Sequence, residues 1–156
     1  LDLFHPMFLA EGIVIKSLIE PNITIQTIEG RLESIISNII QNSIKYLKKV
    51  DQRTLSIQIK KEDETSIAIR IEDSGPGIPK ERMNNLWQRF GVAKSDQKGS
   101  VKSSGFGLYQ IKKNVDLLKG EINVESSPQG TRFDILLPID YYEQNSNDPE
   151  AKTTRA

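Results

Sequence analysis

The sequence predicts an α+β fold, a two-layer sandwich in which a mixed sheet of about five strands packs on about three helices. The longest helix is predicted over residues 31–49, where apolar side chains recur at three- and four-residue spacing. Residues 55–59 and 67–71 alternate apolar with polar side chains, and the polar residues 61–64 separate them. This pattern predicts an antiparallel hairpin. The length of 156 residues is typical of one domain.

The segments before the long helix predict one helix and one strand. Residues 6–19 mix apolar and polar side chains and predict a helix, with Gly12 as its weak point. Pro21 and Asn22 end this segment. Residues 23–27 then alternate apolar and polar side chains, which predicts a half-buried strand.

Loops and further elements follow the hairpin. Residues 72–79 form a loop rich in Gly and Pro, and residues 91–104 are too poor in large apolar side chains to bury themselves. Further helices are predicted at residues 79–88 and 105–118, and further strands at residues 121–125 and 131–137. Residues 142–156 are polar and predict a disordered tail.

Composition excludes several classes of function. Basic and acidic residues number 21 each, so the zero net charge gives no electrostatic footprint for nucleic acid or an anionic membrane. The absence of cysteine excludes disulfides, thiol catalysis and thiolate metal sites, and is compatible with a reducing compartment. No apolar run reaches the ~20 residues of a membrane helix. We expect a cytoplasmic fragment of a longer protein, compatible with a membrane-anchored parent, because the chain begins without methionine or a signal peptide.

The first candidate site lies on the long helix. Asn38, Asn42, Lys45 and Lys49 fall on one stripe opposite the apolar face. Amides and ammonium groups in a row suit phosphates and a magnesium ion, which takes only one or two protein oxygens. A solvated helix face is the alternative explanation of this stripe.

Two glycine-containing segments are further candidates. Asp73 follows a strand and can accept a hydrogen bond from an exocyclic amine, while Gly75 and Gly77 let a ligand approach the main chain. An ordinary tight loop is the alternative there. The other segment opens a helix, whose N-terminus favours phosphates, and comprises Gly105, Phe106, Gly107 and Leu108.

The order and spacing of these segments resemble the GHKL nucleotide-binding fold, and within it the catalytic domain of histidine kinases. Residues 38–46 match the N box, residues 71–79 the G1 box, residues 86–90 the F box and residues 105–108 the G2 box. The resemblance extends from about residue 23 to 138. It implies that residues 1–141 form an ATP-binding catalytic domain.

The resemblance also implies a role for each matching residue. Asp73 would bind the adenine amino group, with Tyr46 against the base and Thr131 beside Asp73. Asn42 would hold magnesium, and Asn38 would be the catalytic residue near the triphosphate. The full nucleotide-binding set would be Asn38, Asn42, Lys45, Tyr46, Asp73, Gly75, Gly77, Ile78, Gly105, Phe106, Gly107, Leu108 and Thr131.

The implied reaction is transfer of the γ-phosphoryl group of Mg–ATP to a histidine. That histidine would lie on a dimerisation and phosphoacceptor domain outside this chain, with a response regulator receiver domain downstream. We expect the isolated domain to be monomeric and its parent homodimeric, with no nucleic acid partner. His5, the only histidine, is not expected to be the acceptor, because Pro6 keeps it out of a helix interior.

Two departures and three alternatives accompany the resemblance. Ser103 stands where the family often has glycine, and residues 127–129 are one residue short. The resemblance implies that residues 91–104 form a lid over the nucleotide, and these departures affect that lid more than the site itself. An ATPase of the same fold would carry glutamate at Asn38 to activate water, and a serine kinase of the anti-sigma type usually carries an acidic residue there. A nucleotide-binding pseudo-kinase that mediates assembly is the third alternative.

Overall fold

A computed structural model describes residues 2–89 and 106–141 of the chain. The helices are α1 (His5–Ala10), α2 (Arg31–Leu47), α3 (Lys80–Met83) and α4 (Gly107–Leu117), after a 3-10 turn at Asp2–Phe4. The strands are β1 (Val14–Ile19), β2 (Thr54–Lys61), β3 (Ser66–Asp73), β4 (Glu121–Ser127) and β5 (Gly130–Pro138). They form one sheet in the order β1-β2-β3-β5-β4. Because β1 runs parallel to β2 and the other neighbours are antiparallel, the predicted mixed sheet is confirmed.

The core lies between the sheet and the pair of helices α2 and α4. The apolar stripe of α2 is buried, and Ile35, Ile39 and Ile40 are fully shielded from solvent. Ile111 and Val115 of α4 pack into the same cluster as the inward side chains of the sheet. Burying one such side chain stabilises the fold by about 1.5–3 kcal/mol relative to exposure. The packed layers match the predicted two-layer α+β sandwich.

The outer face of the sheet carries charged side chains instead. Arg70 on β3 pairs with Asp134 on β5 at 2.6 Å, and Arg132 pairs with both Asp134 and Glu125. Alternation along each strand therefore separates an apolar inner face from a charged outer one.

The prediction of one helix over residues 6–19 is wrong. Helix α1 ends at Ala10, and Gly12 adopts a left-handed conformation with φ of 62°. The N–H groups of Gly12 and Ile13 donate to the carbonyls of Leu9 and Phe8, which is the Schellman pattern of a helix end. The chain then continues as strand β1, so the glycine ends a helix rather than weakening one.

The strand predicted at residues 23–27 is also wrong, although its alternation of burial is present. This segment makes only an isolated bridge, between Gln26 and Asp140. The N–H of Gln26 donates to Ile139, and the N–H of Tyr141 donates to Gln26. The segment thus lies extended beside the end of β5, and β1 supplies the fifth strand instead.

The remaining segment predictions have mixed outcomes. The helix predicted at residues 79–88 is shorter, since α3 covers only Lys80–Met83 before turns follow. The proposed lid at residues 91–104, with Ser103, and the tail at residues 142–156 lie outside the described residues. Across residues 2–89 and 106–141, no helix has the length and apolar character needed to span a membrane.

Candidate nucleotide-binding site

Asp73 is a buried carboxylate at the end of β3. It is only 7% exposed, and it accepts hydrogen bonds from the Gly75 N–H and the Ser43 hydroxyl, each at 2.9 Å. Burial raises the pKa of the Asp73 carboxyl, and these two donors with the Thr131 N–H oppose that rise without cancelling it. The carboxylate is thereby held in one orientation at the C-terminal end of the central strand β3.

The loop after Asp73 takes its shape from the β4–β5 hairpin. Gly77 has φ of 74°, and a side chain there would collide with the Ser127 carbonyl oxygen, so only glycine fits. The Ile78 N–H donates to the Ser126 hydroxyl at 2.7 Å, and that hydroxyl lies 3.2 Å from the Thr131 hydroxyl. Although residues 127–129 are short relative to the family pattern, this hairpin closes and supports the loop.

Tyr46 and two lysines line the side of the site near Asp73. A Cβ atom placed on Gly75 would lie 3.6 Å from the Tyr46 Cβ, so the loop and α2 are in contact. The ammonium groups of Lys45 and Lys49 lie 5.5 and 5.2 Å from the centre of the Tyr46 ring. Burial lowers the pKa of Lys45, and the positive charge of Lys49 lowers it further. This edge of the site favours anions.

Asn38 and Asn42 face the N-terminus of α4 at the other end of the site. A Cβ atom placed on Gly107 would lie 3.4 Å from Asn38 Oδ1 and 3.6 Å from Asn42 Nδ2. Helix α4 begins at Gly107, and its first N–H groups donate no hydrogen bond to the side chain of Phe106, the residue before it. The first N–H groups of such a helix suit phosphate oxygens. Asn38 and Tyr46 are eight residues apart, about 12 Å along α2, so one extended ligand can reach both ends.

The donor set at the phosphate end fits a magnesium ion shared with phosphates. Asn38 Nδ2 donates to the Ser34 carbonyl at 2.7 Å, which leaves Asn38 Oδ1 turned toward Gly107, where it can accept a hydrogen bond from water bound to a metal ion. Asn42 Nδ2 is a buried hydrogen-bond donor without a partner in the described structure, and such a group is costly unless a ligand such as a phosphate oxygen satisfies it. The metal-binding atom of this side chain would be Asn42 Oδ1, which also faces Gly107. Among residues 2–89 and 106–141, no group of three His, Asp or Glu side chains could hold a metal instead.

The predicted site residues thus fall into two groups along α2. Tyr46, Asp73, Gly75 and Thr131 meet at one end, and Asn38, Asn42 and Gly107 meet at the other, with Lys45 at the side. Ile78 contacts the hairpin through its N–H. Leu108 is partly buried and packs against the core, and Phe106 lies beside Tyr109. Gly105 lies outside the described residues, and His5 is exposed at the start of α1.

Two polar residues that shape the site, Ser43 and Ser126, were not predicted as site residues from the sequence. Ser43 is 1% exposed and bonds to Asp73, and Ser126 bonds to the Ile78 N–H. Ser43 lies within the otherwise apolar buried stripe of α2. A hydroxyl in such a stripe indicates a hydrogen-bonding task, because buried polar groups almost always have partners.

Fold and site together define an ATP-binding α+β sandwich. The chain belongs to the family of histidine kinase-, DNA gyrase B- and HSP90-like ATPases, whose family model matches residues 27–141. The predicted family, the predicted fold and the prediction of an ATP-binding domain of the histidine kinase type are therefore confirmed.

Sensor kinases are among the relatives in sequence. The chain is 27% identical over 143 residues to the autoinducer 2 sensor kinase/phosphatase LuxQ of Vibrio harveyi, which covers 88% of this chain and 17% of that protein. It is 31% identical over 129 residues to the sensor protein RprX of Bacteroides fragilis, covering 82% of this chain and 25% of that protein. The chain therefore spans a quarter or less of the length of these two relatives.

Solved structures share the fold. The mycobacterial sensor histidine kinase MprB superposes with a TM-score of 0.71 at 23% identity, covering 88% of this chain and 91% of that chain. The catalytic domain of the histidine kinase ThkA superposes with a TM-score of 0.73 at 20% identity, covering 89% of this chain and 88% of that chain. The β-sheet and helix arrangement described above is thus the arrangement of histidine kinase catalytic domains.

Proposed function

We propose that this domain binds Mg–ATP along α2 and transfers the γ-phosphoryl group to a histidine on a dimerisation and phosphoacceptor domain of its parent kinase. Asp73 accepts a hydrogen bond from the adenine amino group, and Tyr46 lies against the base. Asn42 holds the magnesium ion. Lys45 and the N-terminus of α4 at Gly107 balance phosphate charge.

The reaction is a displacement at the γ-phosphorus. An imidazole nitrogen of the acceptor forms the new P–N bond while the bond from phosphorus to the β,γ-bridging oxygen breaks, and ADP leaves. Such catalysis consists mainly of positioning and neutralising charge. Magnesium, when bound, supplies positive charge to the β- and γ-phosphate oxygens. Asn38 and Asn42 would orient that end of the nucleotide.

One observation carries the choice of transfer over hydrolysis: among the described residues, the polar side chain nearest to Gly107 is an amide, that of Asn38. A general base must accept a proton from water, and a neutral amide does not do so at ordinary pH. Hydrolytic members of the fold would need a carboxylate at this position. Asn38 is therefore better suited to orient phosphate or metal-bound water than to activate an attacking water.

Phosphorylation of the parent kinase's acceptor domain tests this proposal. The domain is incubated with that acceptor domain and ATP radiolabelled at the γ-phosphate, with Asn42→Ala as the inactive control. We expect label on the acceptor that is labile to acid and stable to alkali, as phosphohistidine is. Steady phosphate release by this domain alone would instead favour an ATPase. Nucleotide binding without transfer would favour a pseudo-kinase that mediates assembly.

The wider context follows from the same proposal. A receiver domain of a response regulator would take the phosphoryl group from the histidine, and the domain would act from the cytoplasm as part of a homodimeric parent. Residues 1–141 would form this catalytic domain. Gel filtration with light scattering on the isolated domain is expected to give the mass of a monomer, 17.6 kDa, and a stable dimer would contradict that part of the proposal.

A further inference from the structure

Four side chains form a hydrogen-bonded chain between α2 and α4, behind the phosphate end of the site. The Arg31 guanidinium donates to Asn114 Oδ1 at 3.1 Å, and Asn114 Nδ2 donates to the Ser34 hydroxyl at 3.0 Å. Asn38 Nδ2 donates to the same hydroxyl at 3.3 Å and to the Ser34 carbonyl at 2.7 Å. We call this set, Arg31, Asn114, Ser34 and Asn38, the α2–α4 network.

The network determines which atom of the Asn38 amide faces the site. A main-chain carbonyl can only accept a hydrogen bond, so the atom of Asn38 that contacts the Ser34 carbonyl must be the nitrogen. The Asn38 oxygen therefore points to the opposite side, toward Gly107. The Ser34 hydroxyl is a second acceptor on the nitrogen side, and Asn114 holds that hydroxyl in place.

Asn114 occupies a position where an apolar residue would suit the core. It is 2% exposed and lies on α4 beside Ile111 and Val115, which are fully buried. Both polar atoms of its amide are used, one by Arg31 and one by Ser34. Asn114 also lies two turns along α4 from Gly107. It therefore connects α4, whose N-terminus would face the phosphates, to Asn38, which would face them from α2.

We propose that Asn114 and Ser34 are positioning residues that hold the Asn38 carbonyl oxygen toward the magnesium and phosphate end of the site. This inference rests on the proposed function, because it concerns how Asn38 meets Mg–ATP. If the Asn38 amide turns by half a rotation, its NH2 group replaces an oxygen that attracts a cation or its water ligands. Loss of the α2–α4 network should therefore lower the affinity for the metal-bound nucleotide more than the affinity for the metal-free nucleotide.

Variants of Asn114 and Ser34 separate positioning from general support. Asn114→Leu removes both amide contacts at similar side-chain volume. Ser34→Ala removes only the hydroxyl, whereas Ser34→Thr keeps a hydroxyl at this position. Asn123→Leu is the matched control, because Asn123 is exposed on β4, away from the α2–α4 network. For each variant, calorimetry measures ATP affinity with magnesium and with a chelator. Amide spectra of ¹⁵N-labelled protein report hydrogen exchange of the Asn38 side-chain NH2.

The expected results differ between the two conditions. Asn114→Leu and Ser34→Ala should lose about three- to tenfold in affinity for Mg–ATP, and the loss should be the smaller one for Ser34→Ala because the Ser34 carbonyl still accepts from Asn38. Both should keep their affinity for metal-free ATP within about twofold and show faster exchange of the Asn38 NH2. Ser34→Thr and Asn123→Leu should resemble the wild type. If Asn114→Leu does not fold, the Ser34→Ala and Ser34→Thr pair decides the question.

Two outcomes would overturn the inference. Equal affinities of the wild type, Asn114→Leu and Ser34→Ala for Mg–ATP would show that the network does not position Asn38. Equal losses with and without magnesium would show a merely structural role. Failure of the proposed function has a different signature, since the wild-type protein itself would then show no magnesium-dependent binding.

Discussion

Replacement of Asp73 by asparagine changes one buried charge at the adenine end of the site. Because burial raises the pKa of Asp73 above its ordinary 3.8, the stability that this group contributes is complete below pH 3.8 and is lost as pH rises through the folded-state pKa. Above that pKa the ionised carboxylate is thus a net cost to folding. Asparagine carries no charge, and its Oδ1 can still accept the Gly75 N–H. We expect Asp73→Asn to melt at the same or a higher temperature at pH 7.

Nucleotide affinity should change in the opposite direction. A hydrogen bond to a charged group contributes about 1.5–3 kcal/mol, so losing the carboxylate should weaken ATP binding roughly 10- to 150-fold. The amide nitrogen of Asp73→Asn would also meet the adenine amino group as a second donor. Inosine triphosphate carries a carbonyl oxygen in place of that amino group. We therefore expect the preference for ATP over inosine triphosphate to fall in this variant.

Asp134→Asn is the matched control, because the pKa of Asp134 is shifted the other way. Partial burial tends to raise the pKa of Asp134, but hydrogen bonds from Arg70 and Arg132 outweigh it and lower the pKa below 3.8. The ionised carboxylate therefore stabilises the fold above pH 3.8, and this stabilisation is lost as pH falls through the folded-state pKa. Asp134→Asn should melt at a lower temperature at pH 7 and bind ATP normally.

Thermal melts from pH 4 to 8 and calorimetric titrations measure these effects. The advantage of Asp73→Asn in melting temperature should shrink toward pH 4. Unchanged ATP affinity in Asp73→Asn would contradict a role of the carboxylate in binding adenine. A loss of stability at pH 7 as large as that of Asp134→Asn would contradict the cost of burying the Asp73 charge.

Three further substitutions probe the rest of the site. Gly107→Ala should leave stability within about 0.5 kcal/mol, because the added methyl group makes only ordinary van der Waals contacts with Asn38 and Asn42. It should weaken ATP binding tenfold or more by calorimetry, because the methyl group occupies space that the phosphates need; normal binding would contradict this. Gly77→Ala should lower the melting temperature by roughly 5 °C or more, since a left-handed residue with a side chain is strained and collides with Ser127; an unchanged melt would count against the described loop. Asn42→Ala should lose about tenfold or more of the affinity that depends on magnesium; an affinity for Mg–ATP equal to that of the wild type would remove Asn42 as the ligand.

Local patterns predicted the elements whose burial follows from their own sequence. The spacing of apolar residues on α2 and the alternation of β2 and β3 each reflect one buried face. Strand β1 was missed because it is an edge strand whose side chains are mostly exposed, including Leu18 at 70%. Alternation at residues 23–27 reported burial correctly but could not report that no strand pairs with it.

The residues of the site also differ in whether their roles depend on a local motif or on partners that are distant in the sequence. Asp73, Asn38 and Asn42 could be proposed as site residues from the sequence because each lies in a short motif. Ser43 and Asn114 could not, because their hydrogen-bond partners lie 30 and 80 residues away in the sequence. Hydrogen bonds of this kind depend on how α2 packs against the sheet and against α4, and no spacing within one segment encodes that packing.

We propose above all that this domain binds Mg–ATP between Asp73 and Gly107. Calorimetric titration of the wild-type domain with ATP, first with magnesium and then with a chelator, measures this binding. We expect saturable binding at one site, with higher affinity when magnesium is present. Absence of binding with magnesium present would contradict it.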